Sequence, residues 1–166
     1  MSRHIFIPNG GEAVEAEYKE QMIEEYKGNP FIEALPPIYS KDEVVDKLVV
    51  YPNYNSKERM LESHLRVHML QRLFQCFQPL QIHLDLESRI SRVIRQGYLA
   101  RNPFRAEYAA SLQDGYRMIQ NLNLDLCSNK RFRTTAAGFT IIGVSGMGKT
   151  TAVNRILATM PQIIVH

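Results

Sequence analysis

The run Gly143-Val144-Ser145-Gly146-Met147-Gly148-Lys149-Thr150 is a complete G-x-x-x-x-G-K-[ST] phosphate-binding pattern, set between an apolar stretch and an amphipathic one. Phe139-Thr140-Ile141-Ile142 predicts a short buried strand, and Lys149 to Met160 predicts a helix with Val153, Ile156, Leu157 and Met160 at helical spacing. Strand, glycine-rich loop and helix in that order are the context in which the pattern binds a nucleoside triphosphate. Glycines let main-chain N–H groups turn toward phosphates where a Cβ would collide, and the helix N-terminus adds partial positive charge. The expected ligand is a nucleoside triphosphate with Mg²⁺, held by Gly143, Val144, Ser145, Gly146, Met147, Gly148, Lys149, Thr150 and Thr151. Lys149 would reach the β- and γ-phosphates, Thr150 would place its hydroxyl on Mg²⁺, and Thr151 would touch the α-phosphate.

Downstream of the loop, Pro161 stops the helix and Gln162-Ile163-Ile164-Val165-His166 predicts a second strand. Hydrolysis requires a further strand ending in an acidic residue, and usually an arginine finger. Fifteen residues follow Thr151, too few for these groups. The expected fold class is therefore α/β, a mainly helical N-terminal section followed by the first βαβ unit of a P-loop domain, incomplete. The chain reads as the N-terminal fragment of a larger ATPase, with a natural short protein carrying a vestigial loop as the alternative. No steady ATP hydrolysis is expected of this chain alone, and its catalytic residues stay unassigned. An incomplete sheet also predicts apolar exposure around Ile141, Ile163 and Val165.

Charge is distributed unevenly. Residues 1–48 hold five Lys/Arg against ten Asp/Glu, whereas residues 49–166 hold fifteen against seven, and twelve of those fifteen are arginine. Nucleic acid is one partner such a basic half suits; internal pairing of the arginines is the other reading. No segment approaches a membrane-spanning length, and Met1 to Asn9 lacks a signal-peptide pattern, so a cytoplasmic location is expected. Cys76 and Cys127 form no C-x-x-C pair and read as separate, buried, reduced thiols.

Three segments are expected: an acidic arm and linker over 1–40, a helical section over 41–134, and the start of the P-loop domain over 135–166. Within the first, Glu12 to Lys27 reads as an acidic helix with a narrow stripe of Val14, Tyr18, Met22, Ile23 and Tyr26, and Asn29 to Ile38 as a proline-fixed extended arm. Phe31, Ile32 and Leu35 on that arm would dock on a partner or pack onto the chain's own helices. Ser40 and Glu43 form a capping box opening a helix through Leu48. Further helices are expected over Lys57 to Phe77, over Leu84 to Gln96 with Leu86, Ile90, Val93 and Ile94 inward and Gly97 ending it, and over Ala106 to Leu122, before a loop over Asn121 to Asn129. His64 and His68 have a metal-chelating spacing but no third ligand, so they read as ordinary surface or half-buried side chains. Arg89, Arg92 and Arg95, with Arg101 and Arg105, form a basic patch that phosphates could use or that Asp85 and Glu87 could neutralise.

Asn29-Pro30-Phe31-Ile32-Glu33-Ala34-Leu35-Pro36-Pro37, Phe77-Gln78-Pro79-Leu80, Arg89-Ile90-Ser91, Arg95-Gln96-Gly97-Tyr98 and Arg101-Asn102-Pro103 resemble the N-terminal region of the TnsC family. These are AAA+ regulators of Tns-type transposons, related to the TniB ATPases. Ile142 to Thr151, Arg155-Ile156-Leu157 and Pro161-Gln162 continue the resemblance, which covers most of the chain from residue 29. It implies an ATP-binding AAA+ regulator of DNA transposition. Such proteins assemble as rings or filaments on target DNA, receive a signal from a target-selection protein of the TnsD/TniQ kind, and recruit and activate the transposase. The Walker B acids, sensors, arginine finger and main DNA-facing elements of that family have no counterpart up to His166. Two other readings stay open: an adaptor with an idle P-loop, and a piece of an unrelated P-loop nucleotide kinase or helicase loader.

Overall fold

A computed structural model describes residues 4–7, 11–120 and 138–166. The described chain is mainly helical, with one three-stranded sheet of order β1-β2-β3 formed by β1 (His4–Ile7), β2 (Gly11–Glu15) and β3 (Ile163–Val165). β1 runs antiparallel to β2, His4 facing Val14 and Ile7 facing Gly11, while β3 lies parallel to β2 with Ala13 opposite Ile163. The helix expected over Glu12 to Lys27 is thus replaced by a central strand, an irregular passage and a 3-10 turn at Glu24–Tyr26. Its stripe was too sparse to bury a helical face, whereas Ala13 and Val14 gain strand partners about 150 residues away.

Phe139 to Ile142 does not form the expected strand, so the βαβ unit lacks its first member, and Ile142 is 92% exposed. β3 pairs with β2 on one edge, and Phe139 to Ile142 does not join its other edge. Partial exposure at Ile141, Ile163 and Val165 accords with an uncovered sheet.

Between the sheet strands come α1 (Pro30–Glu33), α2 (Lys41–Leu48), α3 (Ser63–Met69), α4 (Gln81–Leu99), α5 (Ala106–Gln120) and α6 (Lys149–Leu157). α2 starts as its sequence predicts: Ser40 Oγ accepts from the Glu43 amide at 3.4 Å and Glu43 Oε2 accepts from the Ser40 amide at 2.7 Å. The Ser40 amide first, and then the Ser40 hydroxyl, hold the Glu43 carboxyl below its ordinary range. α4 runs through Gly97 rather than ending there, because packing along its length outweighs the propensity cost of one glycine. Val44 and Leu48 of α2, Ile90 of α4 and Ile156 of α6 make the core, with Phe77, Leu86 and Ile94 against it. The P-loop helix is therefore packed into the same core as the helical section.

Backbone hydrogen bonds of 2.9 Å in both directions between Val50 and Phe77 close an excursion over residues 51–76. The single helix expected over Lys57 to Phe77 breaks there into a 3-10 turn at Ser56–Met60, α3, and a second 3-10 turn at Leu70–Gln75. None of these three pieces contains a buried residue, and a helix without a buried face has little to stabilise it. Cys76 is exposed, contrary to expectation, and Cys127 lies outside the described residues. So do the loop expected over Asn121 to Asn129, the last residues of the helix expected to reach Leu122, and the boundary near residue 135. Among the described residues no helix is long and apolar enough to cross a membrane.

Candidate functional site

The loop from Gly143 to Gly148 turns on two glycines with left-handed backbones, Gly146 at φ +83° and Gly148 at φ +77°. Side chains rarely adopt those angles, which explains glycine at both points. At Gly143 a Cβ would come within 3.3 Å of Met147 Sδ, the end of an exposed side chain that can move aside. Gly148 caps α6, and the first helical hydrogen bond runs from the Ala152 amide to the Gly148 carbonyl at 2.9 Å. The amides of Lys149, Thr150 and Thr151 in that first turn consequently have no intrahelical acceptor. Together with the helix dipole they favour an anion.

Lys149 Nζ donates to the carbonyls of Gly143 and Val144, each at 2.8 Å. Its ammonium therefore curls back over the loop and ties both ends of the loop together. Val144, Ser145, Met147, Thr150 and Thr151 are all exposed. The nine residues expected to hold nucleotide thus form one continuous open turn, with the lysine folded across it and the Thr150 hydroxyl on the first helical turn. The donor set fits a phosphate: one cation, free first-turn amides and glycine backbones that leave room for close approach. What the loop lacks is the strand that should lead into it.

α6 is fixed from behind. Ala152 and Ile156 are buried, and the Arg155 guanidinium lies 5.7 Å from the centre of the Phe77 ring. The strand after it sends His166 against Phe31, ring centroids 4.9 Å apart and edge-on, and Tyr18 Oη lies 3.1 Å from His166 Nδ1.

A second constellation joins the segments whose motifs stand out in the sequence. The Asn29 amide group donates to the Tyr98 carbonyl at 2.9 Å, and the Asn102 amide group donates to the Gly28 carbonyl at 2.9 Å. Arg95 donates to Ser91 Oγ and to the Pro36 carbonyl. Phe31 packs on Tyr98 with ring centroids 5.8 Å apart. The 29–37 segment accordingly opens with a four-residue helix, Pro30–Glu33, and is clamped onto the C-terminal half of α4 with Ile32 fully buried, and is not an extended arm. Asn29 and Pro30 carried the overlooked signal, since Asn at the N-cap followed by Pro at the first helical position is a helix start.

Arg95 also removes itself from the expected basic patch. It is 2% exposed, with Nε lacking any acceptor among the described residues, so it acts as a structural clamp. Arg89, Arg92, Arg101 and Arg105 remain exposed. Glu87 shares the buried face of α4 with Ser91 and Arg95, and burial raises its carboxyl above the ordinary range against the opposing pull of Arg95. Burial lowers Arg95 from its ordinary value, partly offset by Tyr26, Glu87 and Tyr39. His64 lies on α3 with Nδ1 3.3 Å from Glu62, and no group of three metal-ligating side chains occurs among the described residues.

No protein-family model matches the chain, and no curated protein matches it.

Proposed function

We propose that the chain is an ATP-binding AAA+ regulator of DNA transposition, coupling target-site selection on DNA to recruitment of a transposase. The observation that carries nucleotide binding is the Gly143–Thr150 turn closed onto the N-terminus of α6, whose first-turn amides have no side-chain cap, with Lys149 as its cation. Lys149, the loop amides and Thr150 would hold the triphosphate and Mg²⁺; the ion neutralises phosphate charge. The transposition reading rests on the motif segments at residues 29–37, 95–103 and 142–151, the first two of which meet in space as the α1–α4 clamp. Its partners would be target DNA, a target-selection protein of the TnsD/TniQ kind, transposase subunits and further copies of the chain in a ring or filament.

One observation favours a second reading, an adaptor whose P-loop is idle: Phe139 to Ile142 stays outside the sheet, and Lys149 is occupied by its own loop. Co-sedimentation with double-stranded DNA, with and without Mg·ATP, separates the two. Retention on DNA that requires Mg·ATP and is lost in Lys149→Ala supports the regulator. Retention indifferent to nucleotide in both proteins retires it in favour of the adaptor.

A further inference from the structure

Residues 51–76 add nothing to the core. None of them is buried, and backbone hydrogen bonds between Val50 and Phe77 close the chain at their root. Ordering such a segment costs conformational entropy that no buried side chain within it offsets. Polar bonds shape it instead: Arg72 Nη1 donates to Glu58 Oε1 at 2.9 Å and to the Asn53 carbonyl at 3.2 Å, tying the Leu70–Gln75 turn to the Ser56–Met60 turn and to the stretch before it.

Around that tie lies a hollow of about 260 Å³ whose apolar wall includes Tyr54, Met69, Leu70 and Leu73. Leu70 and Leu73 are 59% and 62% exposed, so much of the wall faces water. Arg59 and Arg66 also line the hollow, both exposed and without a carboxylate partner among the described residues, whereas Arg72 is matched by Glu58. Two unmatched guanidinium groups beside an uncovered apolar wall suit one kind of ligand, a large apolar side chain with carboxylates next to it.

We propose that this hollow is a docking site for an acidic peptide segment of another protein, which seats one large apolar side chain against Leu70 and Leu73 and sets its carboxylates on Arg59 and Arg66. The two contributions reinforce each other. Seating the apolar side chain removes both surfaces from water, and each planar guanidinium can grip a carboxylate through two parallel hydrogen bonds. Arg72 is a positioning residue: it meets no ligand charge of its own, because Glu58 already neutralises it, and it holds together the walls from which the others reach. Nucleic acid fits less well, since two unmatched cations neutralise few phosphates and the Glu58 carboxylate stands in the lining. The site uses no P-loop residue and is independent of nucleotide and of the function proposed above.

Fluorescence polarisation with the full chain, without nucleotide, tests this using a labelled peptide that carries one phenylalanine flanked by glutamates. The parent should bind it, and less tightly as salt rises. Replacing the phenylalanine by alanine, or the glutamates by lysines, should weaken binding by at least about tenfold. Arg59→Glu/Arg66→Glu should lose the glutamate peptide and take the lysine peptide in its place, whereas Arg89→Glu/Arg92→Glu, which reverses two exposed arginines of α4, should bind as the parent does. Leu73→Asp should abolish binding, and Arg72→Met should weaken it with Arg59 and Arg66 still present. Circular dichroism should be unchanged throughout, since none of these side chains is buried. A parent that ignores the glutamate peptide, equal binding of the alanine peptide, or binding that survives Arg59→Glu/Arg66→Glu overturns the proposal. So does a labelled single-stranded oligonucleotide that binds through Arg59 and Arg66 more tightly than the peptide, or self-association in sedimentation velocity that Arg59→Glu/Arg66→Glu abolishes; these would give the hollow to nucleic acid or to a second copy.

Discussion

Arg95 holds three things at once: its own helix through Ser91, the Pro36 carbonyl that ends the α1 segment, and the charge of Glu87. A lysine offers a point charge and no planar fork, so it could not serve both acceptors from one position. Replacing Arg95 by Met should cost about 1–3 kcal/mol, read by urea unfolding, since it leaves the Pro36 carbonyl and the Ser91 hydroxyl without their buried donor. Glu87 also sets a pH dependence. Its folded value is raised, so the fold favours the protonated acid; the benefit is complete below the ordinary carboxylate range and disappears as pH rises through the raised value. Unfolding midpoints measured between about pH 4 and about pH 8 should show a decline on that side that Glu87→Gln removes. A profile of Glu87→Gln identical to the parent's would show that the group titrates alike in both states.

At the scale of elements, the α1 turn decides what the Asn29 to Pro37 segment is for. Ile32 is fully buried and Leu35 nearly so, and the turn is bonded to α4 at Tyr98. Ile32→Ala should cost about 2–4 kcal/mol, and replacing Phe31, Ile32 and Leu35 together by Ser should lower the melting temperature sharply. An unchanged melting temperature would return these residues to the role of a docking arm. The contrast explains what a sequence can disclose. The Ser40–Glu43 cap, the inward Leu86, Ile90 and Ile94 of α4, and the helix that starts at Lys149 are legible, because cap chemistry and helical spacing are local. Glu12 to Lys27 reads as a helix in isolation, whereas β2 is a strand through its pairing with β1 on one edge and, on the other, with β3 from the other end of the chain. Residues 57–77 have helical spacing but no buried face, and spacing predicts a face without supplying something to bury it against. Arg95 looked like one of a row of surface cations because its acceptor, Pro36, lies 59 residues away.

For the whole molecule, the decisive fact is that the candidate nucleotide loop is not an appendage. Ile156 on α6 completes the core made by Val44, Leu48 and Ile90, and β3 pairs with β2 while the following His166 packs on Phe31. Opening any of these contacts exposes the others, so the described chain should unfold in one transition that includes the loop. A ligand bound at Lys149 to Thr151 then stabilises α2 and α4 as much as α6, by mass action through the shared transition. At a Mg·ATP concentration about a hundredfold above its dissociation constant the gain is about 2.7 kcal/mol. Scanning calorimetry should therefore show a single peak that moves upward with Mg·ATP, while Lys149→Ala melts where the parent does without nucleotide and does not move. Lys149 makes this variant a sharp probe, since its bonds among the described residues are to two carbonyls of its own exposed loop and its loss should leave the core intact. Two separate peaks, of which only the lower responds to nucleotide, would show that the loop region is energetically detached from the helical section. A parent whose single peak ignores Mg·ATP would remove the nucleotide site itself.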